Sequence, residues 1–377
     1  MTTVLTETID RLADLEPVPF PVLSLYLNAQ PDSVGRDRIS AFLRKTLAQP
    51  LSTYRPASPE HESLSQDIAR IERYVGESLQ PSANGVAIFA CAGAERFFEA
   101  VQLEAPVERH ALYVGDRPHL YPLALLDERY PRYAAVVADT NVARIFVFGT
   151  HRIERKERVT GQKTKRVKAG GWSQARFQRH VDHYHLQHVK EVVDRLDRIV
   201  RDEGIEQVIL IGDDVVVSLL REQLPTRLSE RIIDVLRLGA RASDRDVLSA
   251  TLEVLRQKDA DTDAAIVGRL FDEVRSGGLG VAGARATLDA LGLGQVDLLL
   301  ITSEPALIGD AQRVAQEADG RVERSLVEEE PAPPAEDRAA NHLVALARQT
   351  SAGVRFIEDP ALLADVGGVG ALLRFHI

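Results

Sequence analysis

Apolar and polar positions along the chain alternate in three successive stretches of mixed α/β character. In the first, VLSLYLN (22–28) alternates and is rich in β-branched and aromatic residues, which predicts a strand; GVAIFAC (85–91) and LYPLALL (120–126) read as further strands. Helical periodicity covers 36–49 and 60–79, the second led by Ser58 and Pro59 in the N-cap and first helical positions. In the second stretch, two strands over Ala134–Ala138 and Ala143–Phe148 flank a tight turn at Asp139-Thr140-Asn141. A long helix is predicted over Ser173–Asp202, with Val189, Val192, Val193, Leu196 and Ile199 at helical spacing and Gly204 beyond its end. QVILIGDD (207–214) has the run of apolar residues typical of a strand buried on both faces. A helix over Val215–Gln223 and a strand over Arg231–Leu236 follow. The third stretch predicts helices at Ala264–Ser276 and Gly283–Leu291, the strand VDLLLIT (296–302) and a helix over Ile308–Ala318. An acidic, proline-rich loop (326–337), a helix over Arg338–Gln349 and strands at VRFIE and ALLRFHI complete it. The fold class is therefore α/β with three domains, at 1–127, 128–258 and 259–377.

Composition changes this picture little: 377 residues, 45% hydrophobic and 27% charged, suit an ordinary multidomain globular protein. The lone cysteine, Cys91, ends an apolar run and excludes a disulfide framework. No apolar run approaches the ~20 residues of a spanning helix, and the N-terminus lacks a signal-type run, so the cytoplasm is the expected location and no membrane partner is expected. Charge changes it more. The net charge is −10, yet residues 151–180 hold ten lysines and arginines against Glu154 and Glu157, a local +8 that leaves −18 elsewhere. One basic face on an acidic body suits docking to a polyanion.

The basic run leads into KTKRVKAGGWSQARFQRHVDHYHLQHVK (163–190), where a glycine pair precedes a polar helix. Its order of strand hairpin, basic segment, GGxSQxRFxR, long helix and strand resembles the central domain of the archaeal and eukaryotic class-one release factors. The likeness is greatest to their bacterial relatives, the release-factor-like peptidyl-tRNA hydrolases of ribosome rescue. Gly170, Gly171, Ser173, Gln174, Arg176, Phe177 and Arg179 carry it. GGVGALLRF (367–375) and LGLGQVDLLLI (291–301) resemble parts of the release-factor and Pelota C-terminal domain. The resemblance implies an N-terminal mixed α/β docking domain, a central RNase H-like domain and a C-terminal Pelota-type α/β/α sandwich.

It also implies work in the ribosomal A site on peptidyl-tRNA, with an elongation-factor-type GTPase as a further partner and no cofactor. Gly170 and Gly171 would let the backbone approach the ester, and Gln174 would hold the attacking water. Lys163, Lys165, Arg166, Lys168, Arg176 and Arg179 would contact ribosomal RNA phosphates, while Ser173 and Phe177 support the loop. Trp172 stands where the release factors carry glutamine; it would stack on a nucleobase or anchor the loop on its own domain. The N-terminal region has no NIKS-like stop-codon motif, so decoding is not expected. Two alternatives stay open: an A-site binding factor without chemistry, as in Pelota-like hibernation or rescue, and, less favoured, an RNase H-fold nuclease. His180, His183, His185 and His188 lack the carboxylate or thiol set of a zinc site, Asp182 being the one nearby acid, so a solvated or RNA-facing helix is expected and no metal. Asp213 and Asp214 read as a strand-end turn and helix cap. Oligomeric state is open.

Overall fold

The computed structural model describes residues 4–30, 38–81, 83–103, 105–149, 152–160, 173–239, 241–318, 324–327 and 334–375. The first elements are α1 (Val4–Ala13), β1 (Val22–Asn28), α2 (Ile39–Thr46), α3 (Ala48–Leu51), α4 (Pro59–Glu77), β2 (Gly85–Cys91), β3 (Phe97–Leu103), β4 (Ala111–Gly115) and α5 (Tyr121–Arg129). Helix α4 starts as its sequence dictates: the Ser58 hydroxyl accepts the His61 N–H at 3.2 Å and Pro59 takes the first turn. One face of β1 and β2, with Leu23, Leu25, Leu27 and Ile88, packs on Phe42, Leu64 and Ile71 of the helices. LYPLALL, expected as a strand, instead opens helix α5. Tyr121, Leu123, Ala124 and Leu126 are all buried there, so the segment has no polar face to mark a period, and Pro122 lies in the first turn, where no N–H is needed.

The middle of the chain forms β5 (Tyr133–Ala138), β6 (Val142–Gly149), β7 (Arg152–Thr160), α6 (Ser173–Asp202), β8 (Gln207–Ile211), α7 (Asp214–Gln223), α8 (Thr226–Ser229), β9 (Ile232–Leu236) and α9 (Asp244–Ser276). The sheet runs β7-β6-β5-β8-β9, with β6 antiparallel to both neighbours and β5, β8 and β9 parallel. Strand β8 is buried on both faces as expected. Val208 and Leu210 meet Val192 and Leu196 of α6, and Ile209 and Ile211 meet Phe146, Phe148 and Val247. Part of the expected basic loop is strand β7. Its register shifts at Glu154, so Ile153 joins one core and Val159 the other. Two apolar residues on opposite faces leave no readable alternation.

The remaining elements are β10 (Gly280–Ala282), α10 (Ala284–Gly292), β11 (Val296–Thr302), α11 (Ala311–Ala318), β12 (Arg324–Val327), α12 (Ala335–Gln349), β13 (Gly353–Ile357) and β14 (Val369–Leu373). They complete a mixed sheet of order β10-β14-β11-β13, whose Leu300, Ile357 and Leu372 pack on Val267 and Leu270 of α9. The expected loop over 326–337 is divided. Leu326 and Val327 belong to β12, which pairs antiparallel with β4 and completes the first sheet as β12-β4-β1-β2-β3. Ala335–Asp337 begin α12, and 328–333 lie outside the described residues. The α/β class holds, with three sheets in two compact units: residues 130–259 form one, and residues 3–129 with 260–377 form the other. Among the described residues, no helix is long and apolar enough to cross a membrane.

Candidate functional site

Of the site residues read from the sequence, Lys163, Lys165, Arg166, Lys168, Gly170, Gly171 and Trp172 lie outside the described residues. Ser173 opens α6, and Gln174, Arg176, Phe177 and Arg179 occupy its first two turns; their side chains lie outside the described ones. The structure does describe the two elements that flank this segment. Strand β7 ends at Thr160, opposite Val142 of β6, and α6 is anchored by buried Val189, Val192, Val193, Leu196, Ile199 and Val200.

Charged side chains fasten β7 to the body of its unit. Arg155 reaches Glu203 at 2.5 Å and also pairs with Glu157, which lies 3.6 Å from Arg195 of α6. Arg132 bridges Glu154 at 2.7 Å and Glu203 at 2.8 Å. Lys156 pairs with Asp244 at 2.6 Å, as Arg144 does at 3.0 Å, and both cations lie over the Phe146 ring. The local +8 read from composition is thus partly matched by acids of the same unit. Glu203 and Asp244 were not singled out in the sequence, because they lie tens of residues from β7 and follow no local spacing.

The histidines divide as well. His180 and His183 have side chains outside the described ones, and His185 is half-buried. His188 is buried, with no hydrogen-bond partner at either ring nitrogen; burial pushes its pKa down, opposed by Asp139 and Glu191. A neutral imidazole results at neutral pH. No group of three His, Cys, Asp or Glu side chains able to hold a metal occurs among the described residues. Asp213 caps α7 by accepting the Val216 N–H at 2.9 Å, and Asp214 pairs with Arg237 at 2.8 Å.

Residues 118–256, which include the glycine pair and all of α6, match the model of bacterial archaeo-eukaryotic release factor family 10. That part of the chain resembles this family. Peptide chain release factor subunit 1 of Methanopyrus kandleri is 25% identical over 211 residues, 55% of this chain and 51% of that protein. The chain therefore spans about half the length of that relative. The namesake from Thermoplasma acidophilum is 24% identical over 306 residues, 74% of this chain and 73% of its own. Among solved structures, the archaeal termination factor aRF1 is 17% identical over 98% of this chain and 97% of its own, with a TM-score of 0.26. Dom34 of S. cerevisiae is 10% identical over 78% and 79%, with a TM-score of 0.44.

Proposed function

We propose that this protein binds the ribosomal A site and promotes hydrolysis of the peptidyl-tRNA ester on stalled ribosomes, without decoding stop codons. The observation that carries the reading is the family match over 118–256, which contains the GGxSQ sequence, its Ser173 and Gln174 opening α6. Gly170 and Gly171 allow close main-chain approach to the ester, so that a backbone N–H stabilises the developing oxyanion. Gln174 orients the water. Ser173 and Phe177 support the loop, and Lys163, Lys165, Arg166, Lys168, Arg176 and Arg179 contact RNA phosphates, while Trp172 stacks on a nucleobase or anchors the loop. The strand order of the central sheet, with its second strand antiparallel to the first, suits an RNase H-like domain. Residues 1–127 act as a docking domain, 128–258 as the catalytic one and 259–377 as a Pelota-type domain. Dom34 is described as interacting with Hbs1 and an archaeal Pelota as ribosome-bound with ABCE1; by analogy, an elongation-factor-type GTPase is a candidate partner here.

The nuclease alternative is weakened because Asp213 and Asp214 are engaged in a helix cap and an ion pair. Occupancy of the A site without chemistry is the second reading, favoured by Trp172 in the position that follows the glycines. Release of labelled peptide from peptidyl-tRNA on stalled ribosomes separates the two. We expect release by the wild type, and its loss in Gln174→Ala and Gly171→Ala with ribosome binding retained. Binding without release by any of the three proteins would remove the hydrolase reading and leave the occupancy factor.

A further inference from the structure

Strand β3 ends the first sheet, in the order β12-β4-β1-β2-β3, and among the described residues no strand pairs with its outer side. Its seven residues, FFEAVQL, pair with β2 from Phe97 opposite Cys91 to Leu103 opposite Gly85. Every residue of β2 is buried, whereas Phe97 to Gln102 are each partly exposed. Two helices hold the strand extended. On one face, Phe98 and Ala100 pack on the cluster that includes Leu64 and Ile71 of α4, Arg70 lies 4.2 Å over the Phe98 ring, and the Gln102 amide donates to the Tyr74 hydroxyl at 2.9 Å. On the other, Arg11 of α1 meets Glu99 at 2.6 Å. The remaining outer strands are guarded. Six of the nine residues of β7 are charged, Glu128 accepts the Phe356 N–H of β13, and Asp234 accepts the Val235 N–H of β9. Strands β10 and β12 have only three and four residues. Strand β3 is long, carries one charge and has neither lysine nor proline, so its edge remains a template for a further strand.

We propose that the outer edge of β3 pairs antiparallel with β3 of a second copy of this chain, making one sheet across a two-fold axis. The register that uses all seven residues sets Phe97 against Leu103, Phe98 against Gln102, Glu99 against Val101 and Ala100 against itself. It gives Phe97 an apolar partner, leaves the smallest residue at the axis, and puts no carboxylate opposite another. This match of the strand with itself selects a second copy over a foreign strand. An edge that α1 and α4 already hold extended loses little further freedom on pairing. A seam of one strand pair is small, so the dimer is a weak one governed by concentration. It is independent of what the segment after β7 does.

Sedimentation equilibrium of the full chain from about 1 μM to about 1 mM, beside Val101→Glu and Val101→Lys, tests the seam. Both substitutions remove the same valine. The first sets a carboxylate against Glu99 of the partner subunit, twice per dimer, and the second sets an ammonium there. The wild type should approach twice the mass of one chain as concentration rises. Val101→Glu should need roughly tenfold more protein to do so, and Val101→Lys no more than the wild type. Amide exchange in β3 of the wild type should slow with concentration while β5 and β8 stay unchanged, a readout that stands even where a substitution prevents folding. A monomer at every concentration, with β3 exchange constant, overturns the proposal and leaves the edge to a foreign strand. So does a dimer that both folded variants weaken alike or not at all, which would put the contact between copies elsewhere.

Discussion

Asp67 is 1% exposed, and its fate sets how the first sheet responds to pH. Its Oδ2 accepts the Ala92 N–H at 3.0 Å, and nearby Ser63 Oγ accepts the Gly93 N–H at 2.8 Å. Together they fasten the turn between β2 and β3, where Glu95 and Arg96 hold left-handed φ values of 49° and 56°. Burial pushes the Asp67 pKa up to about 6, against the pull of the Ala92 N–H, Arg70 and Ser63. A carboxyl that holds its proton more tightly folded than unfolded favours folding at low pH. That contribution fades as pH rises from about 4 to about 6. Asp67→Asn keeps an oxygen for Ala92 and carries no charge. It should stabilise the protein by about 1–2 kcal/mol at pH 7.5 and by little at pH 4, measured by urea unfolding at the two pH values. His188, its pKa lowered, contributes a slope of opposite sign: its neutral form favours the fold, and stability falls as pH drops below its unfolded value. The variant therefore isolates one slope from the other. The expected solvated or RNA-facing placement of the histidines fails at His188, which is buried because α6 covers the sheet there, a contact that no local spacing announces.

At the scale of elements, strand and helix were legible where one pattern governed a whole segment. Strand β8 announced itself by four apolar residues served by cores on both sides, and α4 by its hydroxyl cap and proline. Strand β7 was hidden because its charged residues serve ion pairs and a bulge moves its two apolar residues to opposite faces. That distinction makes a prediction. Arg155 and Lys156 are engaged with Glu203, Glu157 and Asp244, so Arg155→Ala and Lys156→Ala should cost stability, about 0.5–1 kcal/mol each for such exposed pairs. Lys165→Ala and Arg166→Ala should instead leave the unfolding midpoint alone and weaken ribosome binding. Each should also lower the slope of log affinity against log salt by roughly 0.7–0.9. Ribosome co-sedimentation across a salt series, beside urea unfolding of the same four variants, checks the contrast. Equal effects on binding from all four would place β7 in the RNA interface after all.

The unit formed by residues 3–129 and 260–377 depends on contacts that no local pattern foretells. Asn341 of α12 is 9% exposed, and its Oδ1 accepts the N–H groups of Leu120 at 2.6 Å and Tyr121 at 3.2 Å. These are orphan donors at the start of α5, satisfied by a residue some 220 positions along the chain. Gln349 donates to the Ala13 carbonyl at 2.6 Å, Arg348 lies 3.6 Å from Asp10, and β12 extends the sheet of β1. From sequence, the two segments read as separate domains because each has its own helices and strands; the polar ties between them carry no period. Asn341→Ala keeps the helix and removes the acceptor from two buried donors. An unpartnered buried N–H costs roughly 1–3 kcal/mol, so the unit should lose about 2–4 kcal/mol. If the two segments fold as one, amide exchange in β1 and β2 and in β11 and β14 should accelerate by the same factor, with β5 and β8 of the central unit unaffected. Acceleration confined to one sheet would mean that the segments open independently. In that case the N-terminal and C-terminal parts would meet a ribosome as two surfaces, and not as the single body that their shared sheet and Asn341 otherwise make them.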